Sequence, residues 1–406
     1  MTHRIVVLGA GYAGLTAGRR LARATKSRDV RIDLVNATPS FVERVRLHQL
    51  SAATGTVERP LAEIVSGSGI HVTVGRVVGL DAGARTVAVD RGGDAGRDTL
   101  DYDTLVYALG SRTAVRSVPG VAEHAYTLDG ADGAGRLAGA VDHIATSGGN
   151  VVVCGGGLTG VEAAAELAEA RPELRVTLVT SGEIGHSLSA TARAYVRQVY
   201  QRIGVRLLEQ RRVSSVTASA VLLSDGTEVP ADATVWCGAF EVPGLARDAG
   251  LDVESSGRIR VDETLRSLSH PDVYAVGDAA SVPLPWGPQR MSCQAGAPTG
   301  SHAADAIVTR LAGGEPVPFR FRYGTQCVSL GRRDGLIQLV HADDSPSRIV
   351  VTGRIAARIK ELICRSAAWS ATTGRLSDRA LYPWPYAPAV RRVQPQVRSV
   401  VSTSEH

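Results

Sequence analysis

Lysine is almost missing from this 406-residue chain: Lys26 and Lys360 are the only two among 45 basic residues. Arginine therefore carries the positive charge, and the formal net charge of +5 is modest. Basic runs interleaved with aromatics are also missing, so a nucleic-acid partner is not expected. The five cysteines, Cys154, Cys237, Cys293, Cys327 and Cys364, are odd in number, widely spread and never paired as C-x-x-C. They make neither a disulfide framework nor a metal cluster, and no metal is expected. No apolar run approaches the ~18 residues of a membrane span, and no charged-then-apolar leader precedes the first strand, which reads as a cytoplasmic protein. Aromatics are only 4% of the chain, yet 44% hydrophobic content supports globular folding, and the length suits two or three domains.

What is present is a nucleotide-binding pattern, and it occurs twice. Arg4–Leu8 is a buried-type strand that runs into Gly9-Ala10-Gly11-Tyr12-Ala13-Gly14 and then a helix from Leu15 to Ala24. In such a βαβ unit the first glycine permits the tight turn and the second lets backbone approach a pyrophosphate. The third lets helix and strand pack closely, and the helix N-terminus faces the phosphates. Val30–Val35 reads as the second strand, with Asn36 where a ribose-binding acid is expected. The pattern restarts at Asn150–Cys154 with Gly155-Gly156-Gly157-Leu158-Thr159-Gly160, a helix over 163–169 and a second strand over 175–179. Two complete units imply two bound nucleotides. The second unit's strand ends in Thr180-Ser181 rather than an acid. That leaves NADPH open beside NADH, with Arg193 or His186 as phosphate partners.

Between and after these units lie segments with other roles. Phe41–Leu50 is rich in helix formers and ionisable groups, and its place after the nucleotide strand puts Arg46 or His48 beside a cofactor's reactive end or, equally, in the packing of a helix on the sheet. His71–Gly79, Thr86–Val89 and the run after Tyr102 read as antiparallel strands. Leu105–Ser111 is another buried strand, ending in Ala108-Leu109-Gly110, and Pro119-Gly120 is a turn suited to an inter-domain hinge. Residues 204–208, 213–217 and 221–223 form a small meander, and 233–237 a closing strand. Then come a strand over 270–276 ending in Gly277-Asp278, a helix over 292–311, and strands over 319–328 and 335–340. The last helix, Arg354–Trp369, places Ile355, Ile359, Leu362 and Ile363 on one face. Such a basic amphipathic helix either lies peripherally on an anionic membrane or packs its apolar face on the protein or on a second copy. Tyr382–Pro395 reads as extended and Ser399–His406 as frayed.

On these residues the chain resembles flavoproteins with two dinucleotide-binding domains, nearest to type II NADH dehydrogenases and apoptosis-inducing-factor-like NAD(P)H oxidoreductases. The motifs that carry the resemblance are Gly9/Gly11/Gly14, Ala108-Leu109-Gly110, Gly155/Gly157/Gly160 with Val161-Glu162, and Gly277-Asp278. It implies an α/β fold of two Rossmann-like domains, glutathione-reductase-like, plus a C-terminal α+β part. FAD would be held by residues 1–113 and 240–315, NADPH or NADH by 114–239, with 316–406 as an interface or acceptor-side region. Gly9 to Gly14, Ala13 included, would hold the FAD pyrophosphate, with Asn36 at its ribose, Arg46, Ala108 and Gly110 near the flavin, and Asp278 on the ribityl chain. The helix opened by Gln294 would aim its N-terminus at the flavin pyrimidine. Gly155, Gly157, Gly160 and Thr180 would hold NAD(P)H, with Glu162 near the nicotinamide and His48 as proton donor to a quinone or other small organic acceptor. A ferredoxin-like protein partner, or a flavin-bound redox sensor with little turnover, are the alternatives.

Four departures from the family pattern stand out. Leu109 replaces a threonine and Asn36 an acid. Phe41–Leu50 has no cysteine pair, which argues against dithiol chemistry. Pro298 stands where quinone reducers tend to carry a second glutamine, which weakens the case for a quinone site of that type.

Overall fold

The computed structural model describes residues 1–93 and 96–374. Its first layer is a five-stranded parallel sheet. Strand β1 (His3–Leu8) pairs on one side with β2 (Val30–Asn36), which pairs with β3 (Ile70–Val74). On the other side it pairs with β4 (Thr104–Tyr107). Helix α1 (Tyr12–Ala24) follows β1 directly and packs Leu15, Ala17 and Leu21 onto the sheet. Ile5, Val6, Val7 and Leu8 are all buried, as a central strand covered on both faces requires.

The second sheet repeats this plan. Strand β5 (Ala125–Thr127) lies at one edge. Next to each other in the sheet's interior run β9 (Ala233–Trp236), β6 (Asn150–Cys154) and β7 (Arg175–Val179), and β8 (Arg206–Leu208) closes the far edge. Helix α3 (Leu158–Ala170) leaves the glycine turn after β6 and is buried along Val161, Ala163, Ala164, Ala165 and Leu167. The chain then returns: β10 (Val273–Ala275) joins the first sheet beside β4. Helix α4 (Cys293–Leu311) crosses α1 so closely that a Cβ on Gly300 would run into the Ala13 carbonyl.

A third part is antiparallel, with β11 (Thr325–Ser329), β12 (Gly335–Val340) and β13 (Pro346–Thr352) in order, followed by helix α5 (Gly353–Thr373). Val328, Leu330 and Leu336 belong to the core of the second unit, whereas Ala368 and Ala371 at the end of α5 belong to the first. Thus the third part packs against both nucleotide-binding units.

Several expectations change. Residues 71–74 and 104–107 join the first sheet as parallel strands rather than antiparallel ones, and 206–208 closes the second parallel sheet instead of joining the meander. Residues 41–50 are not one helix: Ser40–Val42 pairs as a strand with Glu58–Pro60, a 3-10 turn covers Arg44–Arg46, and α2 spans only Leu47–Ser51. Pairing with the Glu58–Pro60 strand overrides the local helix preference. The apolar stripe of the last helix does not pack on the described residues either. Ile355 is 66% and Leu362 69% exposed. The face turned to the protein is Ala356, Lys360, Cys364, Ala368 and Ala371, whose mostly small side chains let α5 approach closely. The expected features of residues 382–395 and 399–406 lie outside the described residues. Among the described residues, no helix is long and apolar enough to cross a membrane, and no group of His, Cys, Asp and Glu could hold a metal ion.

Candidate active site

The two glycine turns are built alike. Gly9 has φ +93° and Gly155 φ +127°, in a region that L side chains rarely adopt. Each donates its N–H to the strand next door, Gly9 to the Val35 carbonyl at 2.7 Å and Gly155 to the Val179 carbonyl at 2.8 Å. A Cβ on Gly14 would strike the Gly9 carbonyl, and one on Gly160 the Gly155 carbonyl. The middle glycines differ. A Cβ on Gly11 or on Gly157 would meet nothing within 4 Å. Both are N-caps without a side-chain capping bond, so free N–H groups and a positive helix end face open space. Two cradles shaped for a diphosphate thus sit one on each sheet.

Asn36 braces the first cradle. Its Oδ1 accepts from the Ala10 N–H at 2.9 Å, and its Nδ2 donates to the Thr38 carbonyl at 2.9 Å. In the second, the Thr180 side chain packs where a Cβ on Gly156 would stand. Arg193, a sequence candidate for a 2′-phosphate, is taken by Glu183 at 3.0 Å and the Leu188 carbonyl at 2.7 Å. His186 is exposed.

Asp278 sits in a 3-10 turn after β10 and accepts from Ser111 Oγ at 2.7 Å. This ties it to the Ala108-Leu109-Gly110 strand end, where Gly110 has φ +66°. The Gly277 N–H donates to Thr299 of α4 at 2.9 Å, so the turn and α4 form one unit. Gln294 is in the first turn of α4 and accepts from Arg290 at 3.2 Å. Pro298 lacks the N–H that would bond the Gln294 carbonyl one turn earlier.

Where α2, α3 and α5 meet, Glu162 and His48, both candidates from the sequence, come together with a residue that sequence reading missed, Lys360. Lys360 of α5 donates to Glu162 Oε1, and the Ser329 N–H donates to the same oxygen at 2.9 Å. His48 Nδ1 lies 3.7 Å from the other carboxylate oxygen. Burial pulls the Lys360 ammonium down to about 8. Burial, with Lys360, Arg332 and Arg46 nearby, holds His48 well below its ordinary pKa, and His48 Nε2 has no hydrogen-bond partner. His48 is therefore neutral at pH 7 and poorly suited to the proton-donor role expected of it. The signal for Lys360 was in the composition. A chain that uses arginine nearly everywhere placed a lysine, the cation that can lose its proton, on the buried face of its last helix.

Arg46 is also committed. It forms a forked pair with Glu361 at 2.9 and 3.0 Å and reaches Glu43 at 3.0 Å, pinning α5 to the turn before α2. The nearby thiols stay protonated, since burial pushes Cys293 up to about 12 and Cys327 up to about 11. Neither is a nucleophile at neutral pH.

Two diphosphate cradles on two parallel sheets narrow the identity, and comparison with known proteins decides it. The family model described as pyridine nucleotide-disulphide oxidoreductase matches residues 3–302. The chain belongs to that family. Its members are FAD-dependent oxidoreductases that use NADH or NADPH, and the open space over Gly11 and Gly157 fits both groups. When bound, FAD supplies two-electron chemistry that the side chains alone cannot.

The chain is similar to a NADH dehydrogenase-like protein of Mycobacterium tuberculosis, 28% identical over 97% of this chain and 99% of that one. It is 26% identical to a type II NADH:quinone oxidoreductase of Staphylococcus haemolyticus, over 89% of this chain and 94% of that one. Among solved structures, NDH2 from Plasmodium falciparum in complex with NADH shares the fold, with a TM-score of 0.79 and 13% identity over 92% of this chain and 96% of that one.

Proposed function

We propose that this flavin enzyme passes electrons from NAD(P)H to a quinone-type organic acceptor and supplies protons to it through Lys360. The carrying observation is the buried Lys360–Glu162 pair. Reducing a quinone to a quinol takes two electrons and two protons, so a titratable cation in a dry site has a task there. Glu162 holds the ammonium in place and, through the Ser329 N–H, holds β11 to α3. His48, neutral and fully buried, excludes water from the third side. Lys360 would deliver one of the two protons and be recharged from solvent, the other proton reaching the acceptor with the electron pair as a hydride when FAD is bound.

The remaining assignments follow the cradles. Gly9, Gly11, Ala13 and Gly14 hold FAD, with Asn36 bracing the loop and Asp278 and the α4 N-terminus facing its flavin end. Gly155, Gly157 and Gly160 hold the donor's diphosphate. The hydroxyls of Thr180 and Ser181 leave NADH and NADPH both admissible. The exposed Ile355, Ile359, Leu362 and Ile363 of α5 form an apolar ridge flanked by Arg354 and Arg358, which suits a peripheral seat on an anionic bilayer.

Anaerobic titration of the FAD-loaded protein with NADH and NADPH in parallel is the test, followed by turnover with a soluble naphthoquinone. Flavin bleaching with one donor and sustained quinone reduction are expected. A flavin that neither donor bleaches would end this reading.

A further inference from the structure

Beside the Lys360–Glu162 pair a cavity of about 420 Å³ opens between α5 and the turn joining β11 to β12. Its walls carry six cations, Arg332, Arg333, Arg354, Arg358, Lys360 and Arg365, against one carboxylate, Glu361. Three of the cations are already neutralised: Lys360 by Glu162, Arg332 by Glu166 at 3.0 Å, and Arg365 by Glu361 at 2.7 Å. Glu361 is itself shared with Arg46. Among the described residues, no carboxylate pairs with Arg333, Arg354 or Arg358.

This arrangement costs the free protein stability. Arg354 and Arg358 are four apart on one helix, and like charges at that spacing repel. Arg354 also stands in the first turn of α5, which has no acid there and no side-chain cap on Thr352. A cation at a helix N-terminus is on the wrong end of the dipole. Both penalties vanish when an anion enters the cavity. The floor adds a reason to place that anion near the chemistry. It is made of Lys360, Gln49 and Cys364. Helix α5 packs against α4, and Cys364 lies close enough to Cys293, the first residue of α4, to help raise that thiol. A group in this cavity is therefore beside the end of α4 that faces the flavin in the reading above.

We propose that this cavity is an anion-binding site on the acceptor side, taking a phosphate, sulfonate or carboxylate group through Arg333, Arg354 and Arg358. The position on the acceptor side rests on the function proposed above, whereas the anion site itself does not. Such a group has two sources, an acidic substituent of the electron acceptor or the headgroup of an anionic lipid.

The test uses the FAD-loaded full chain and R354Q/R358Q, both saturated with NAD⁺ and NADP⁺ so that the cradle at Gly155–Gly160 is filled, with inorganic pyrophosphate as the probe in calorimetry at low salt. Exchanging two guanidinium contacts for neutral amides is expected to weaken binding about tenfold or more. Flavin absorbance and melting temperature show that the variant is folded. If the double variant fails to fold, R333Q on the opposite wall takes its place with the same expectation. Two further arms identify the source. A sulfonated naphthoquinone whose kcat/KM falls about tenfold in the variant, with a neutral naphthoquinone unchanged, assigns the site to the acceptor. Displacement of pyrophosphate by phosphatidylglycerol vesicles but not phosphatidylcholine vesicles assigns it to a lipid headgroup. No pyrophosphate binding in the unmodified protein, or binding that survives both sets of substitutions, overturns the proposal. Calorimetry needs no turnover, so a protein inactive with every acceptor but binding pyrophosphate through these arginines would lose the function proposed above and keep this site.

Discussion

Lys360 and Glu162, 198 residues apart in the chain, meet as an ion pair that joins the last helix to the helix rising from the second nucleotide cradle. In the function proposed above, the N-terminus of α3 faces the donor's diphosphate, and Glu162, one turn into that helix, holds the group assigned to acceptor protonation. The same helix is fastened to the third part again by Glu166, which pairs with Arg332 at 3.0 Å and accepts from Thr54 at 2.6 Å.

Replacing Lys360 with Gln is expected to separate the two half-reactions. Flavin reduction by NAD(P)H, followed by anaerobic stopped flow, stays near normal, while steady-state quinone reduction falls by roughly 10²- to 10⁴-fold, the range of lost general-acid help. Lys360→Arg keeps the charge but not the titration, because guanidinium does not release its proton at ordinary pH. Full activity in Lys360→Arg would remove the proton role.

The pH profile gives an independent reading of the same group. Lys360 is the donor when protonated, so quinone reduction at saturating NAD(P)H is expected to decline as pH rises through about 8. Flavin bleaching measured over the same range has no such limb, and the limb is missing from Lys360→Gln.

His48 is expected to show itself in stability rather than in rate. Its folded pKa is held below the ordinary value, first by burial and then by Lys360, Arg332 and Arg46. Below the unfolded pKa of ~6.5 the unfolded chain therefore binds more protons than the folded one, and stability is lost on acidification. Urea denaturation between about pH 5 and 7 measures this slope around the histidine pKa. His48→Gln flattens it, and an unchanged slope would place its cause elsewhere.

The glycine turns predict a contrast between neighbours. Gly11→Ala adds a methyl group where the fold has nothing within 4 Å, so the apoprotein keeps its melting temperature but loses FAD. Gly14→Ala drives the methyl into the Gly9 carbonyl, and the soluble folded yield itself falls. Gly157→Ala leaves the yellow colour intact and raises the KM for NAD(P)H. Absorbance spectra and thermal melts of the three variants check all of this.

Ile355→Asp with Leu362→Asp tests the ridge on α5. Both side chains are more than half exposed, so stability stays within ~0.5 kcal/mol, as for other surface changes. Flotation with anionic vesicles should be lost if the ridge is the membrane seat, and retained flotation would assign the seat to another surface.

Much of this protein is local information and could be read along the chain. A strand, a glycine turn and a helix are consecutive in sequence, so Gly9–Gly14 and Gly155–Gly160 announce their cradles before any tertiary contact forms. The family resemblance, and with it FAD and NAD(P)H, rests on those stretches. Other properties arise only when distant segments meet. On an exposed helix Lys360 would be an ordinary lysine; burial in the fold, and then Arg46 nearby, lowers its pKa. Arg46 looks like a cofactor ligand until Glu361, 315 residues away, occupies its guanidinium. The last helix carries two faces that could each pack, one of large aliphatics and one of small residues around a lysine. Sequence periodicity favours the first, but the first stays in solvent, because only the small face lets the backbone come close enough to β12 and α1 to bury Ala356, Ala368 and Ala371. Patterns held within one turn of chain determine the cofactors. Desolvation and charge pairing across the folded molecule decide which side chains can move a proton.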